Sequence, residues 1–364
     1  MKLLLLSDFS PTKYNEALFN KGDIDTLFSD TVQLFDDCDL SFINLECALT
    51  TSDGKIDKFG PCLKTHPSTA ALLKRLGVDY CCLSNNHFFD FGKKGALDSL
   101  AALDAEGLVY TGFGKDEQDS RRDLVIEQNG ERITVINVCE HEYSYALPDR
   151  MGCRPFDAYD TMADIRSAAA KGGRVIVIYH GGKEYCPYPS PRLHKLCHAM
   201  VDNGADLVLC QHSHGIGCFE EYQGGQILYG QGNFHFVEPS HVKNPECWYS
   251  ALALFFDTES GEVTFIPLVS NEQGIELAKG ERAEKIMKDF QARNQTLLDG
   301  TWRQGWHDFC EGMRATYTEC IAKAFLPDAT PRDNHRFAHF LDCEAHHDVW
   351  CELFPTANLT NERD

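Results

Sequence analysis

Five times in the first 215 residues a short apolar run gives way to side chains that can hold a cation. Residues 3–6 lead to Asp8, 40–43 to Asn44 and Glu46, 81–83 to Asn85, Asn86 and His87, 174–179 to His180, and 207–210 to His212 and His214. Between these runs lie stretches of helical periodicity over 30–38, 68–76, 93–106, 157–170 and 190–203, several of them stopped by glycine at Gly77, Gly107, Gly172 and Gly204. Asn129-Gly130, between 123–127 and 132–138, is a hairpin signal. Short strands alternating with helices make a layered α/β domain. In such domains ligands bind beyond the carboxyl ends of the strands, where these polar residues fall.

Each residue alone has a plainer reading. Asp8 reads as a turn or cap residue, and Asn85-Asn86-His87 as a turn, since Asn tolerates left-handed backbone. His180 reads as a strand-end histidine bonded to backbone. His212-Ser213-His214 is stronger, because alternate residues in a loop leaving a strand can point the same way. The ordered set, all at strand ends, predicts a metal site.

Charge and cysteine usage narrow the class. Lys and Arg number 34 against 55 Asp and Glu, a formal net charge of -21. Such a surface repels phosphate backbones, which argues against nucleic acid and anionic lipid as partners. No apolar run approaches the roughly 18 residues of a membrane span. The apolar run 3–6 is shorter than the roughly 7 residues of a signal core, so it reads as a buried first strand. The 16 cysteines are scattered with no C-x-x-C pair, and read as reduced, mostly buried thiols of a cytoplasmic protein. Cys210, two residues before His212, reads as core-facing rather than as a ligand.

The later chain changes character. Residues 226–229, 251–256 and 263–269 read as strands of a second, antiparallel sheet. From about 280 to the end the chain reads as helical, an extension whose Trp302, Trp306 and Trp350 fill its own core. The division expected is 1–275 and 276–364. His335 and His339 stand one helical turn apart, a spacing that suits a metal. With His346 and His347 they are nonetheless read as solvent-facing or capping histidines of an amphipathic helix.

The motifs in this order resemble the bacterial capsule-synthesis branch (CapA-type, poly-γ-glutamate biosynthesis) of the calcineurin-like metallophosphoesterases. The resemblance is carried over roughly residues 1–270 by Asn44-Leu45-Glu46, Ser84-Asn85-Asn86-His87 with Asp90 and Gly92, and His180-Gly181-Gly182-Lys183-Glu184-Tyr185. It continues through Asp202 to Asp206, His212-Ser213-His214, and Tyr229-Gly230-Gln231-Gly232-Asn233-Phe234. It implies a four-layer αββα sandwich with a metal site between the sheets. In that frame Asp8 matches the first acidic ligand, and Asn44 and Glu46 stand in place of a Gly-Asp motif, with Glu46 the preferred carboxylate. Asn86 matches the amide ligand, and His180, His212 and His214 the imidazole ligands. His87, paired with Asp90, matches the histidine that meets the substrate. Asn85 and Asn233 are supporting residues; Asn233 would steady the histidine loop by hydrogen bonding. Glu184 and Tyr185, ahead of the proline-rich 186–191, would line the substrate.

Two departures from the superfamily stand out. Its first motif is Asp-x-His, and here the third position is Ser10. A bridging aspartate is replaced by Asn44 or Glu46, so one tight and one weak cation are expected. The cofactor implied is one or two divalent ions of Mn, Fe, Zn or Co, which accept nitrogen and oxygen together. The implied activity is hydrolysis of a phosphate ester by a metal-bound hydroxide, with His87 protonating the leaving oxygen. The substrate would be anionic, small or polymeric. The rival reading is a non-catalytic or weakly catalytic factor in making an anionic polymer such as capsule or poly-γ-glutamate. Attack of the same hydroxide on an amide is a third.

Overall fold

The computed structural model describes residues 1–238 and 245–355. The Lys2–Phe9 strand is buried at every position after Lys2. A strand apolar on both faces must lie inside a sheet covered on both sides. It does: Leu40–Leu45, Tyr80–Cys82 and Val109–Thr111 follow it in parallel on one flank. Ser250–Asp257, Val263–Ser270 and Ile275–Leu277 run antiparallel on the other.

A second sheet has the order Phe219–Tyr222, Gly225–Leu228, Leu207–Gln211, Arg174–His180, Glu131–Cys139 and Leu124–Gln128. Its inner strands are parallel. Its edge hairpin turns at Asn129-Gly130, with φ of 55° and 81°. Positive φ at both turn residues is the twist-matched two-residue hairpin that Asn-Gly favours.

Leu3, Leu5, Phe42 and Leu254 of the first sheet pack against Ile133, Ile176, Ile178 and Leu209 of the second. The outer face of the first sheet carries Thr69–Leu76 and Gly92–Ala105, and that of the second carries Ala158–Ala169 and Pro191–Asp202. The layers are therefore α, β, β, α.

Two sequence expectations change. The three later strands do not share one sheet. Gly225–Leu228 pairs with Leu207–Gln211, whereas Ser250–Asp257 returns to pair Phe256 with Leu3. Alternation marks a strand but not its partner. Residues 30–38 form only a short 3-10 turn, Ser29–Val32, and a single helical turn, Gln33–Asp36.

Four helices close the chain: Gly280–Asp299, Trp302–Ala324, Pro331–Asp342 and Glu344–Leu353. The helical reading of 356–364 lies outside the described residues. Trp306, Tyr317, Phe340, Val349 and Leu353 form the common core of the last three, whereas Ile286 and Phe290 of Gly280–Asp299 pack into the core between the sheets. Trp302 instead stacks on His194 of the α/β body, centroids 4.8 Å apart, and the Trp350 indole donates to the Phe340 carbonyl at 3.0 Å. At Gly305 an added Cβ would lie 2.3 Å from the Tyr188 ring, so only glycine lets the proline-rich loop seat there. Arg192 ties the layers together through Glu140 at 2.7 Å and Asp348 at 2.9 Å. Among the described residues no helix is long and apolar enough to cross a membrane.

Candidate metal centre and the pocket above it

Parallel strands deliver their last residues to one edge, and here the two sheets deliver theirs to a common point. Asp8 and Asn44 come from the first sheet, and Glu46 follows directly, its backbone N–H bonded to the Phe9 carbonyl at 3.0 Å. His180 ends its strand, and His212 and His214 follow Gln211. Both loop histidines adopt positive φ, 85° and 55°. That region is uncommon for residues other than glycine, and the loop uses it to turn both rings inward.

The loop after Tyr80–Cys82 is organised by Asn85. Its oxygen accepts from the backbone N–H of His87 at 3.1 Å and of Phe88 at 2.8 Å. Its amide nitrogen must therefore donate outward, and it does, to Asn44 Oδ1 at 3.0 Å and the Leu45 carbonyl at 2.9 Å. This fixes Asn44 in turn. Asn44 Nδ2 faces Asp8 Oδ1 at 2.7 Å and His180 Nδ1 at 3.0 Å. Asn44 so presents a donor, not a lone pair, to the centre. Asp8 also accepts from the His212 N–H at 3.1 Å and lies 3.5 Å from His214 Nδ1. Asn233 Oδ1 lies 2.8 Å from the same His214 nitrogen.

Glu46 stands apart from this network. It is fully buried, and neither carboxylate oxygen has a hydrogen-bond partner among the described residues. Burial, and next the charge of Asp8, hold its pKa well above the usual range. Its ligand atoms and those of His212 and His214 lie within 4.8 Å of one another. His180 Nε2 is 3.5 Å from Glu46 Oε1 and 3.0 Å from Asn86 Oδ1. Adjacent ligands on a cation with bonds of about 2.0–2.2 Å sit roughly 3.0–3.5 Å apart. The spacing, the orphaned carboxylate and the mixed nitrogen and oxygen donors fit a divalent transition ion. Burial pushes the His180 pKa down to about 4 and lowers that of His212, so both rings offer neutral nitrogen.

His87 sits at the rim. Its Nδ1 is 2.6 Å from Asp90 Oδ2, and Lys58 pairs with the other Asp90 oxygen. Burial, and then Lys58, lower the His87 pKa. Above lies a cavity of about 370 Å³. One wall holds Asn86, His87, Glu184, Tyr185 and His214, and the other Arg336, His339, Phe340 and His346 of the C-terminal helices. Lys58 and Lys183 line it too. Burial works against the charge of Glu184, but Lys183, His212 and His214 outweigh it and lower its pKa.

The reading of the C-terminal histidines as solvent-facing is thus corrected for His339 and His346. The His339 imidazole is only 9% exposed, and its Nε2 lies 2.7 Å from Glu142 Oε1. His346 is buried. Glu142, missed from the sequence, also reaches His212, with Oε2 3.4 Å from Nε2. A signal was present: Glu140-His141-Glu142 follows the Glu131–Cys139 strand, a sixth apolar run ending in polar residues. Cys210 is fully buried on the outer face of its sheet, 3.7 Å from the Cys197 sulfur.

The family described as bacterial capsule synthesis protein PGA_cap matches residues 5–238. Capsule biosynthesis protein CapA of Bacillus anthracis is 29% identical over 180 residues, which is 48% of this chain and 44% of that protein. A probable polyglutamine synthesis accessory protein of Mycobacterium tuberculosis is 30% identical over 208 residues, 54% of this chain and 55% of that protein. The match thus spans about half the length of these relatives. Among solved structures, a hypothetical protein from Thermus thermophilus gives a TM-score of 0.46 at 17% identity, over 77% of this chain and 100% of that one.

Proposed function

The chain belongs to the bacterial capsule synthesis protein PGA_cap family, and from that premise we propose that it is a metal-dependent hydrolase of an anionic phosphate ester. The observation that carries this reading is Glu46: a buried carboxylate with two unpartnered oxygens, ringed by imidazoles. An uncompensated buried charge is strongly unfavourable, and a bound cation removes that penalty.

In this reading Asp8, Glu46, Asn86, His180, His212 and His214 hold one or two ions of Mn, Fe, Zn or Co. Asn44, with its amide turned to Asp8, positions that carboxylate. A divalent ion bound there supplies Lewis acidity, lowering the pKa of water and polarising a phosphoryl oxygen. The chain's own residues do the rest. Lys58, Lys183 and Arg336 neutralise the incoming anion, while Glu184 and Tyr185 form the facing wall. Asp90 accepts from His87 Nδ1, which turns Nε2 toward the cavity, and the ring in its imidazolium form would protonate the leaving oxygen from there.

The test is metal content together with turnover on panels of phosphomonoesters and phosphodiesters. His87→Ala is expected to retain metal and lose turnover. Protein that takes up no divalent metal at micromolar supply overturns the reading. A second reading, a weakly catalytic or non-catalytic factor in making an anionic polymer, is favoured by the two relatives' names. Retained metal without turnover on any ester, combined with binding of poly-γ-glutamate, would decide for it.

A further inference from the structure

We propose that His339, Cys343 and His346, with the carboxylate of Glu142, form a second cation site that fastens the C-terminal helices to the strand-end loops. The ligand atoms of the first three all lie within 4.8 Å of one another. His339 is in the last turn of Pro331–Asp342, and Cys343 is the extended residue (ψ 127°) at which that helix stops and Glu344–Leu353 begins. His346 lies in the first turn beyond. The bend at Cys343 brings the three side chains to one point, and Glu142 adds Oε1 at 2.7 Å from His339 Nε2.

The group is enclosed, with Cys343 1% and His346 7% exposed. His339 Nδ1 has no hydrogen-bond partner among the described residues, and Nε2 faces Glu142 Oε1. His346 Nδ1 is held by the Tyr317 hydroxyl at 2.5 Å, which leaves Nε2 as the ligand atom. Orientation of one imidazole nitrogen by a neighbour is the usual support for a metal-binding histidine. A contact between Glu142 and His339 alone would be an ordinary ion pair. It would not account for a thiol and a second imidazole converging on the same point.

One thiolate, two imidazoles and one carboxylate are the donors of a tetrahedral zinc or cobalt site, and the two negative charges balance a dication. Glu142 turns its other oxygen to His212, so the two centres are adjacent but share no ring. Residues 339–346 lie beyond the family match at 5–238. A cation here would couple its binding to the docking of the helices.

The experiment is titration of metal-free full-length protein with Co²⁺, read by absorption. Wild type is expected to develop a thiolate-to-cobalt band in the near ultraviolet. Cys343→Ser should lose that band and bind about one fewer ion per chain, whereas Glu46→Gln should keep it. Among the described residues Cys343 is the one cysteine in a group of three candidate ligands, so the band reports this site. The proposal is overturned if saturated wild type shows no such band, or if Cys343→Ser retains it at the same metal content. Should Cys343→Ser fail to fold by circular dichroism, His346→Gln serves. It is expected to weaken cobalt binding at the band by roughly tenfold or more, and unchanged affinity overturns the proposal equally.

Discussion

The backbone N–H and the imidazole Nδ1 of His141 both engage the carboxylate of Glu344, at 2.8 and 2.6 Å. One residue follows a strand of the body, and the other opens the last helix. The hydrogen bond that the His141 ring donates to Glu344 raises the His141 pKa above its ordinary 6.5, outweighing the opposing effect of burial. A raised folded-state pKa contributes stability fully below the ordinary value and loses it as pH rises through the raised one. Glu344→Gln should therefore lower the thermal midpoint near about pH 6 by roughly 2 °C, a figure discounted for partial exposure. Near about pH 9 the effect should largely vanish, and equal shifts at both pH values would contradict this assignment.

Glu46 makes a prediction with two signs. In chelator, Glu46→Gln should be at least as stable as wild type, because it removes a buried carboxyl group whose ionisation burial and Asp8 oppose. Added divalent metal should stabilise wild type by about 2.7 kcal/mol at a hundredfold excess over Kd. The variant should gain little. Calorimetry with and without metal reads both effects, and the same gain in both proteins would mean that Glu46 holds no cation.

Asn85→Ala removes four hydrogen bonds at once, two from backbone N–H groups and two to Asn44 and Leu45. Leaving such buried groups unpaired should destabilise the protein by about 3 kcal/mol in urea unfolding. It should also weaken metal uptake, since Asn44 loses the contact that orients it. A change below about 1 kcal/mol would show that the loop is held otherwise.

Trp306 is 1% exposed in the core of the C-terminal helices. Trp306→Ala should destabilise that region by about 3–5 kcal/mol. The expected readout is early proteolysis beyond residue 300 while the strands stay protected in hydrogen exchange. Uniform loss of protection across both would mean that the helices and the sandwich unfold as one unit.

The two sheets were legible because buried parallel strands demand apolar runs, and five of these end on residues that the structure brings to one point. A sixth run, Glu131–Cys139, ends in the same way on Glu140-His141-Glu142. His339 and His346 were illegible. Helical periodicity reports that a face is polar, but not that the helix folds back to bury it against Glu142. Strand partners were hidden in the same way, since Gly225–Leu228 and Ser250–Asp257 look alike locally and join different sheets. Asn44 looked like a ligand by position. Its amide is turned by Asn85, a relation that only the folded loop contains.

The cavity has one wall built from strand ends and the other from helices that begin after residue 280. Its doorway is therefore a joint rather than a rim. A shift of the Pro331–Asp342 helix would change what passes Arg336 and Phe340, and Glu142, which meets His339 with one oxygen and His212 with the other, would carry that shift to the ligands around Glu46. Admission and grip are thus linked in this chain through one carboxylate.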